Sequence, residues 1–284
     1  MILWGLFKKV VIADRLAIYV NQVYGTPDHF SGSSLLLATL FFTFQIYCDF
    51  SGYTDIAIGS ARILGFKLMQ NFNLPYLANS IGDFWKRWHI SLSSWFADYL
   101  YKPLGGNRVS KGRWIVNIFI VFTVSGLWHG AKWTFVLWGA IHGFYYLIEF
   151  LGSRALIFTG LDSKFQRSRI IHVLRIIIVF SMAFYAWIFF RAANIADAFY
   201  ITSHLFTGLT QMPYMGSSAF DTVLGLMLIV MLYLVQIMQY KGVFAIYYTP
   251  SRTPLLIRYI GYVLLILLIG ILGVTSEQFI YFQF

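Results

Sequence analysis

Long apolar runs separated by short polar or basic stretches set the pattern of this chain. Residues 33–48, 114–128, 132–150, 170–190, 221–238 and 255–275 are each apolar enough to predict a buried or membrane-crossing helix. Residues 2–24 differ, because Lys8, Lys9 and Arg15 sit among apolar neighbours; an amphipathic or protein-packed helix is predicted there rather than a lipid-facing one. The run at 33–48 continues into YCDFSGYTDIAIGSARILGF, where Asp49, Asp55 and Arg62 interrupt it. Charges at that density do not face lipid, so a broken or re-entrant helix buried in protein is expected, with Ser51-Gly52 as the break.

Residues 71–75 form a turn, since Pro75 disfavours a helical Leu74. Residues 80–101 then read as one helix, with Ser80 as N-cap and Asp83 in its first turn. On it Trp85, Trp88, Leu92, Trp95 and Tyr99 recur at three- and four-residue spacing and share a face. Lys86 and Arg87 project elsewhere, towards headgroups or a phosphate-bearing ligand, or simply as interfacial anchors. The segment KPLGGNRVSKGR that follows is a loop with four cations and no acid, cytoplasmic by the positive-inside rule. A second basic loop, with Arg154, Lys164, Arg167 and Arg169 against Asp162, closes the hairpin made by the runs at 114–128 and 132–150. Residues 192–240 contain no Lys or Arg, and the basic stretch 241–258 comes next, so five crossings share one orientation.

Composition agrees with that pattern. Of 284 residues, 59% are hydrophobic, 20% aromatic and only 11% charged, against roughly 25% charged in a soluble domain. The net charge of +10 resides between the apolar runs, without a nucleic-acid-binding motif, so membrane topology rather than nucleic acid accounts for it. A single cysteine, Cys48, excludes an intramolecular disulfide and a cysteine-rich metal site. Lys8, Lys9, Asp14 and Arg15 in the middle of residues 1–23 are unlike a cleavable signal peptide. The predicted fold class is all-α, a polytopic transmembrane helical bundle.

Chemistry concentrates between Gly82 and Gly143, which hold three of the six histidines, His89, His129 and His142. An intramembrane imidazole is costly without a partner or a cavity, so each is a candidate functional group. A straight helix from Arg113 to His129 rises about 24 Å against a hydrocarbon thickness of about 30 Å, which places His129 inside the membrane depth towards the far side. No HxxxH, HxxE or paired-cysteine spacing supports a metal, and no G-x-S-x-G elbow supports a serine hydrolase. A neutral imidazole can instead take the proton of an alcohol attacking an acyl carbonyl; alternatively it is a buried histidine donating to a backbone carbonyl.

The stretches QIYCDFSGYTDIAIGSARILGF, NFNLPYLANSIGDFWKRWHISLSSWFADYLYKPLGGNR and GLWHGAKWTFVLWGAIHG resemble the membrane-bound O-acyltransferase family, in particular its bacterial branch similar to alginate O-acetyltransferases. The resemblance also takes in FFRAANIADAF and the closing FIYFQF, and it implies a single core over residues 1–284. It implies broken or re-entrant helices around a central tunnel, through which a cytoplasmic thioester donor, acetyl-CoA and not a tightly bound cofactor, reaches an acceptor hydroxyl from the other side. Carried over by motif, His129 of Leu-Trp-His-Gly is the catalytic histidine and general base. His89 of Trp-His-Ile-Ser-Leu-Ser is the second signature histidine, which orients the donor or relays a proton. His142, Trp128, Trp85, Arg87, Ser91, Asp49 and Asp55 are supporting or tunnel-lining positions, with intramembrane pairing an equal reading for Asp49, Asp55 and Arg87. No metal is implied.

The implied partners are the lipid bilayer, the acyl donor, an extracytoplasmic acetyltransferase partner and a polysaccharide acceptor, at a cell inner membrane. The family carries further helices before GLFKKVVIADRLA, so an N-terminally truncated member is expected. Two other readings stand beside the enzyme: a transporter relaying protons through the same His and Asp residues, and a non-catalytic assembly subunit.

Overall fold

The computed structural model describes residues 1–158, 168–242, 255–274 and Phe279. Among them all regular structure is helical: α1 (Ile2–Leu6), a π-helical segment (Phe7–Ala13), α2 (Asp14–Gly25), α3 (Gly32–Ile63), α4 (Ile81–Arg87), α5 (Ile90–Phe96), a second π-helical segment (Ala97–Tyr101), α6 (Lys111–His129), α7 (Trp133–Phe158), α8 (Arg169–Arg191), α9 (Ile195–His204), α10 (Ala219–Tyr240) and α11 (Leu255–Leu272). The helices Gly32–Ile63, Trp133–Gly152, Arg169–Arg191 and Ala219–Tyr240 are long and apolar enough to cross a membrane. The expected basic loop around Lys164 and Arg167, most of the basic stretch 241–258, and most of FIYFQF lie outside the described residues. Two compact units are resolved, Met1–Gln70 with Ser203–Phe284, and Asn71–Thr202.

In the first unit α1 and the π-helical segment lie along α3 at very close range. A Cβ on Gly5 would come 2.6 Å from the Gly52 carbonyl oxygen, and one on Gly52 would come 2.8 Å from that of Gly5. Small residues at such a crossing let two helix backbones touch. This corrects the expected break at Ser51-Gly52: α3 runs unbroken through both residues, and the glycine serves packing, not flexion. The charges are resolved by pairing. Lys8 donates to Ser51 at 2.9 Å and lies 2.8 Å from the Asp55 carboxylate, while Lys9 lies 2.7 Å from Asp49 and 2.6 Å from Asp14. The consecutive lysines fall in the π-helical segment, whose wider turn departs from the helical register on either side. Arg15 is paired with Asp221 and donates to the Leu272 carbonyl at 2.6 Å, tying α2 to α10 and α11.

The second unit is built on the α6–α7 hairpin, with α8 packed beside α7. Gly126 of α6 lies against the Phe135 carbonyl and Gly139 of α7 against the Phe122 carbonyl, so the two backbones approach at both glycines. Ser80 caps α4, accepting from the Asp83 amide at 2.9 Å, and the Ile81 amide donates to the Glu149 carboxylate on α7. The cap is as the sequence predicts, but a single helix over 80–101 is not observed. Trp88 is extended (φ −106°, ψ 129°), and His89 is left-handed (φ 43°, ψ 55°).

The cause of that break is the strap 71–73, which runs beside the kink. Asn73 N donates to the Arg87 carbonyl and Ile90 N donates to the Asn71 carbonyl, each at 3.0 Å, replacing helical bonds. The shared aromatic face is consequently split. Trp88 is buried against Phe84 and Trp187, whereas Trp95 and Tyr99 are 51% and 68% exposed. Leu74 completes the turn in a left-handed conformation (φ 51°) before Pro75.

Candidate active site

Each of the three histidines is held by a different local device. His129 is the last residue of α6, where Gly130 ends the helix, and any side chain at 130 would run into the Phe135 ring, 2.7 Å from its Cβ. His142 lies within α7, one turn after Trp138, whose ring it meets at 5.1 Å. His89 occupies the kink between α4 and α5, in a backbone conformation that costs a non-glycine residue about 1–2 kcal/mol and persists only if neighbouring contacts impose it.

Those contacts come from Asn71. Its Oδ1 accepts from the Ser91 amide at 3.1 Å and from the Ser91 hydroxyl at 2.5 Å, and Ser91 Oγ lies 3.4 Å from His89 Nδ1. Arg87 braces the other side of the kink. Its Nε donates to Asp83 at 2.8 Å and its Nη1 to the Asn73 carbonyl at 3.3 Å. Arg87 therefore closes the strap onto α4 by pairing, one of the readings its position allowed, and does not project to a headgroup or ligand.

The three imidazoles converge through aromatic rings. The Trp128 ring lies 6.0 Å from His89 and 5.0 Å from His129. Trp138 lies 5.3 Å from His129 and 5.1 Å from His142, and Trp85 touches His142 at 4.9 Å. Phe190 of α8 closes on His129 at 5.1 Å.

Accessibility separates the three. His89 and His129 sit next to Trp128, which is 53% exposed, while His142 is wholly buried between Phe84, Trp85 and Trp138. Neither ring nitrogen of His142 has a hydrogen-bond partner among the described residues. His89 and His129 retain 8% and 9% exposure and His142 none, so only the first two offer any surface to a substrate. The rings around all three are aromatic, and among the described residues no group of three or more His, Cys, Asp or Glu is placed to hold a metal ion.

His89, His129, His142, Trp85, Trp128, Arg87 and Ser91 thus belong to one unit and one neighbourhood. Asp49 and Asp55 belong to the other unit, where they pair with Lys9 and Lys8. Sequence reasoning missed Asn71 and Trp138. Asn71 stood in a stretch read only as a turn, and Trp138 lies within an apolar run where tryptophan is unremarkable. Its spacing offers a signal in hindsight, because Trp138 precedes His142 by one helical turn.

A family model for the MBOAT, membrane-bound O-acyltransferase family, matches residues 1–193, which include every one of these groups. The chain belongs to the membrane-bound O-acyltransferase family. It is 42% identical over 203 residues to a probable alginate O-acetylase of Pseudomonas aeruginosa, a stretch covering 72% of this chain and 37% of that protein. It is 43% identical over 194 residues to the peptidoglycan O-acetyltransferase of Helicobacter pylori, covering 68% and 36%. A more distant similarity, 32% over 146 residues, links it to the teichoic acid D-alanyltransferase of Bacillus subtilis, covering 49% and 37%. The matched stretches of this chain therefore span well under half the length of these relatives.

Proposed function

We propose that this chain carries the acyl-transfer centre of a multi-pass inner-membrane O-acetyltransferase that modifies an exported polysaccharide. The observation that carries the reading is the convergence of His89 and His129 on the exposed Trp128, within a chain of this family. The greater identity to the alginate and peptidoglycan O-acetylating relatives than to the D-alanyl-transferring one favours an acetyl group.

In this mechanism an acetyl thioester, acetyl-CoA, enters as a substrate from the cytoplasmic side. The His129 imidazole takes the proton of the acceptor hydroxyl as its oxygen attacks the thioester carbonyl. The new C–O bond forms, the C–S bond breaks, and the thiolate receives the proton from the imidazolium. His89 relays a proton or orients the donor. The aromatic rings exclude water, which would otherwise compete as acceptor. The hydroxyl belongs to the polysaccharide or to an extracytoplasmic acetyltransferase partner that completes the transfer.

The experiment is the O-acetyl ester content of envelope and secreted polysaccharides in cells expressing the protein or its His129→Ala variant at matched membrane levels. Esters that depend on His129 support the proposal. Equal ester content with both versions, above cells lacking the protein, refutes His129 as the base.

A further inference from the structure

We infer that Asn71 and Ser91 hold His89 as the tautomer protonated on Nδ1, which puts its basic lone pair on Nε2. The Asn71 side-chain amide is orientated by its contacts: the Ser91 amide can only donate, so the atom 3.1 Å from it is the carbonyl Oδ1. The same Oδ1 lies 2.5 Å from the Ser91 hydroxyl and can only accept, so the single hydroxyl proton of Ser91 points to Asn71. Ser91 Oγ has no second proton to offer. Towards His89 Nδ1, 3.4 Å away, it can act only as an acceptor, so a hydrogen bond across this contact has Nδ1 as its donor.

Left-handed His89 and the bond from Ile90 N to the Asn71 carbonyl hold ring and serine in this register. Asn71 and Ser91 are thus positioning residues that act through His89. The assignment rests on the transferase reading only for its consequence, namely that His89 receives protons at Nε2.

The test is 15N NMR of the full protein in detergent micelles with histidine ring nitrogens labelled, His89 being assigned by comparison with His89→Gln and observed where the ring is neutral. The expected spectrum has a protonated Nδ1 and an unprotonated Nε2. Ser91→Ala shifts both resonances towards a tautomer mixture, while Asn71→Asp, which keeps both acceptor roles, retains the parent pattern. In acetyl transfer, Ser91→Ala lowers kcat about 10- to 100-fold, by analogy with the loss of a group that orients a metal-ligating imidazole.

A proton on Nε2 in the parent protein, or a Ser91→Ala spectrum identical to the parent's, overturns the assignment. Because the spectrum needs neither donor nor acceptor, the two claims fail separately. A protein with the Nδ1–H pattern that transfers no acyl group overturns only the transferase reading, and an active one with Nε2–H overturns only the tautomer.

Discussion

Gly126→Ala tests whether the α6–α7 crossing is what places His129. The added methyl would be driven into the Phe135 carbonyl, a backbone atom that cannot rotate aside, so the helices must separate or slide. Overpacking of this kind costs about 1–3 kcal/mol. His129 lies three residues further along α6 and Trp138 three residues beyond Phe135 on α7, so a displacement of about 1 Å at the glycine reaches the His129–Trp138 contact, and a misplacement of that size can cost about 100-fold in rate.

The control is Gly112→Ala near the start of the same helix, where a Cβ meets nothing within 4 Å. There alanine is worth roughly 0.5–1 kcal/mol of helix stability. Thermal unfolding in detergent and acetyl transfer to polysaccharide are measured for both variants. Gly126→Ala is expected to melt earlier and to lose about two orders of magnitude in transfer, while Gly112→Ala matches or exceeds the parent. A Gly126→Ala protein as stable and active as Gly112→Ala would refute the view that backbone contact at this crossing sets the site.

Breaking the buried Lys8–Asp55 pair from one side, with Lys8→Met, removes the cation 2.8 Å from a buried carboxylate and is expected to cost about 3–5 kcal/mol in thermal stability, whereas Lys8→Met with Asp55→Leu recovers most of the loss. Ser80→Ala removes the cap of α4 and is expected to lower stability by about 1 kcal/mol in the same melting assay. His142→Leu exchanges an imidazole without hydrogen-bond partners among the described residues for an apolar side chain of similar size, so the melting temperature is expected to hold or rise, where a hydrogen-bonded histidine would show a clear fall.

The long helices were legible in the chain because their apolar runs exceed the length needed to cross a membrane, as Arg169–Arg191 and Ala219–Tyr240 show. The two departures have one origin: local pattern cannot register a partner distant in sequence. Ser51-Gly52 reads as a break by propensity, yet the Gly5 backbone and the lysines at 8 and 9 make it a contact point inside a continuous helix. Residues 80–101 carry good helical periodicity, yet a strap from 71–73 takes over the hydrogen bonds at the kink.

Within the site, the motif resemblance pointed to His129 and His89, and the structure puts both beside the same indole. What no spacing could reveal was that Asn71 reaches Ser91 and that Trp138, one turn before His142, also meets His129. Those relations depend on how the strap and the hairpin pack.

The central claim is tested most directly with the purified protein in proteoliposomes, by following transfer of labelled acetyl from acetyl-CoA to a polysaccharide or partner-protein hydroxyl and comparing the parent with His129→Ala. The account predicts a loss of about 10²–10⁴-fold, the usual contribution of a general base, with donor binding retained. Transfer undiminished in His129→Ala would contradict it.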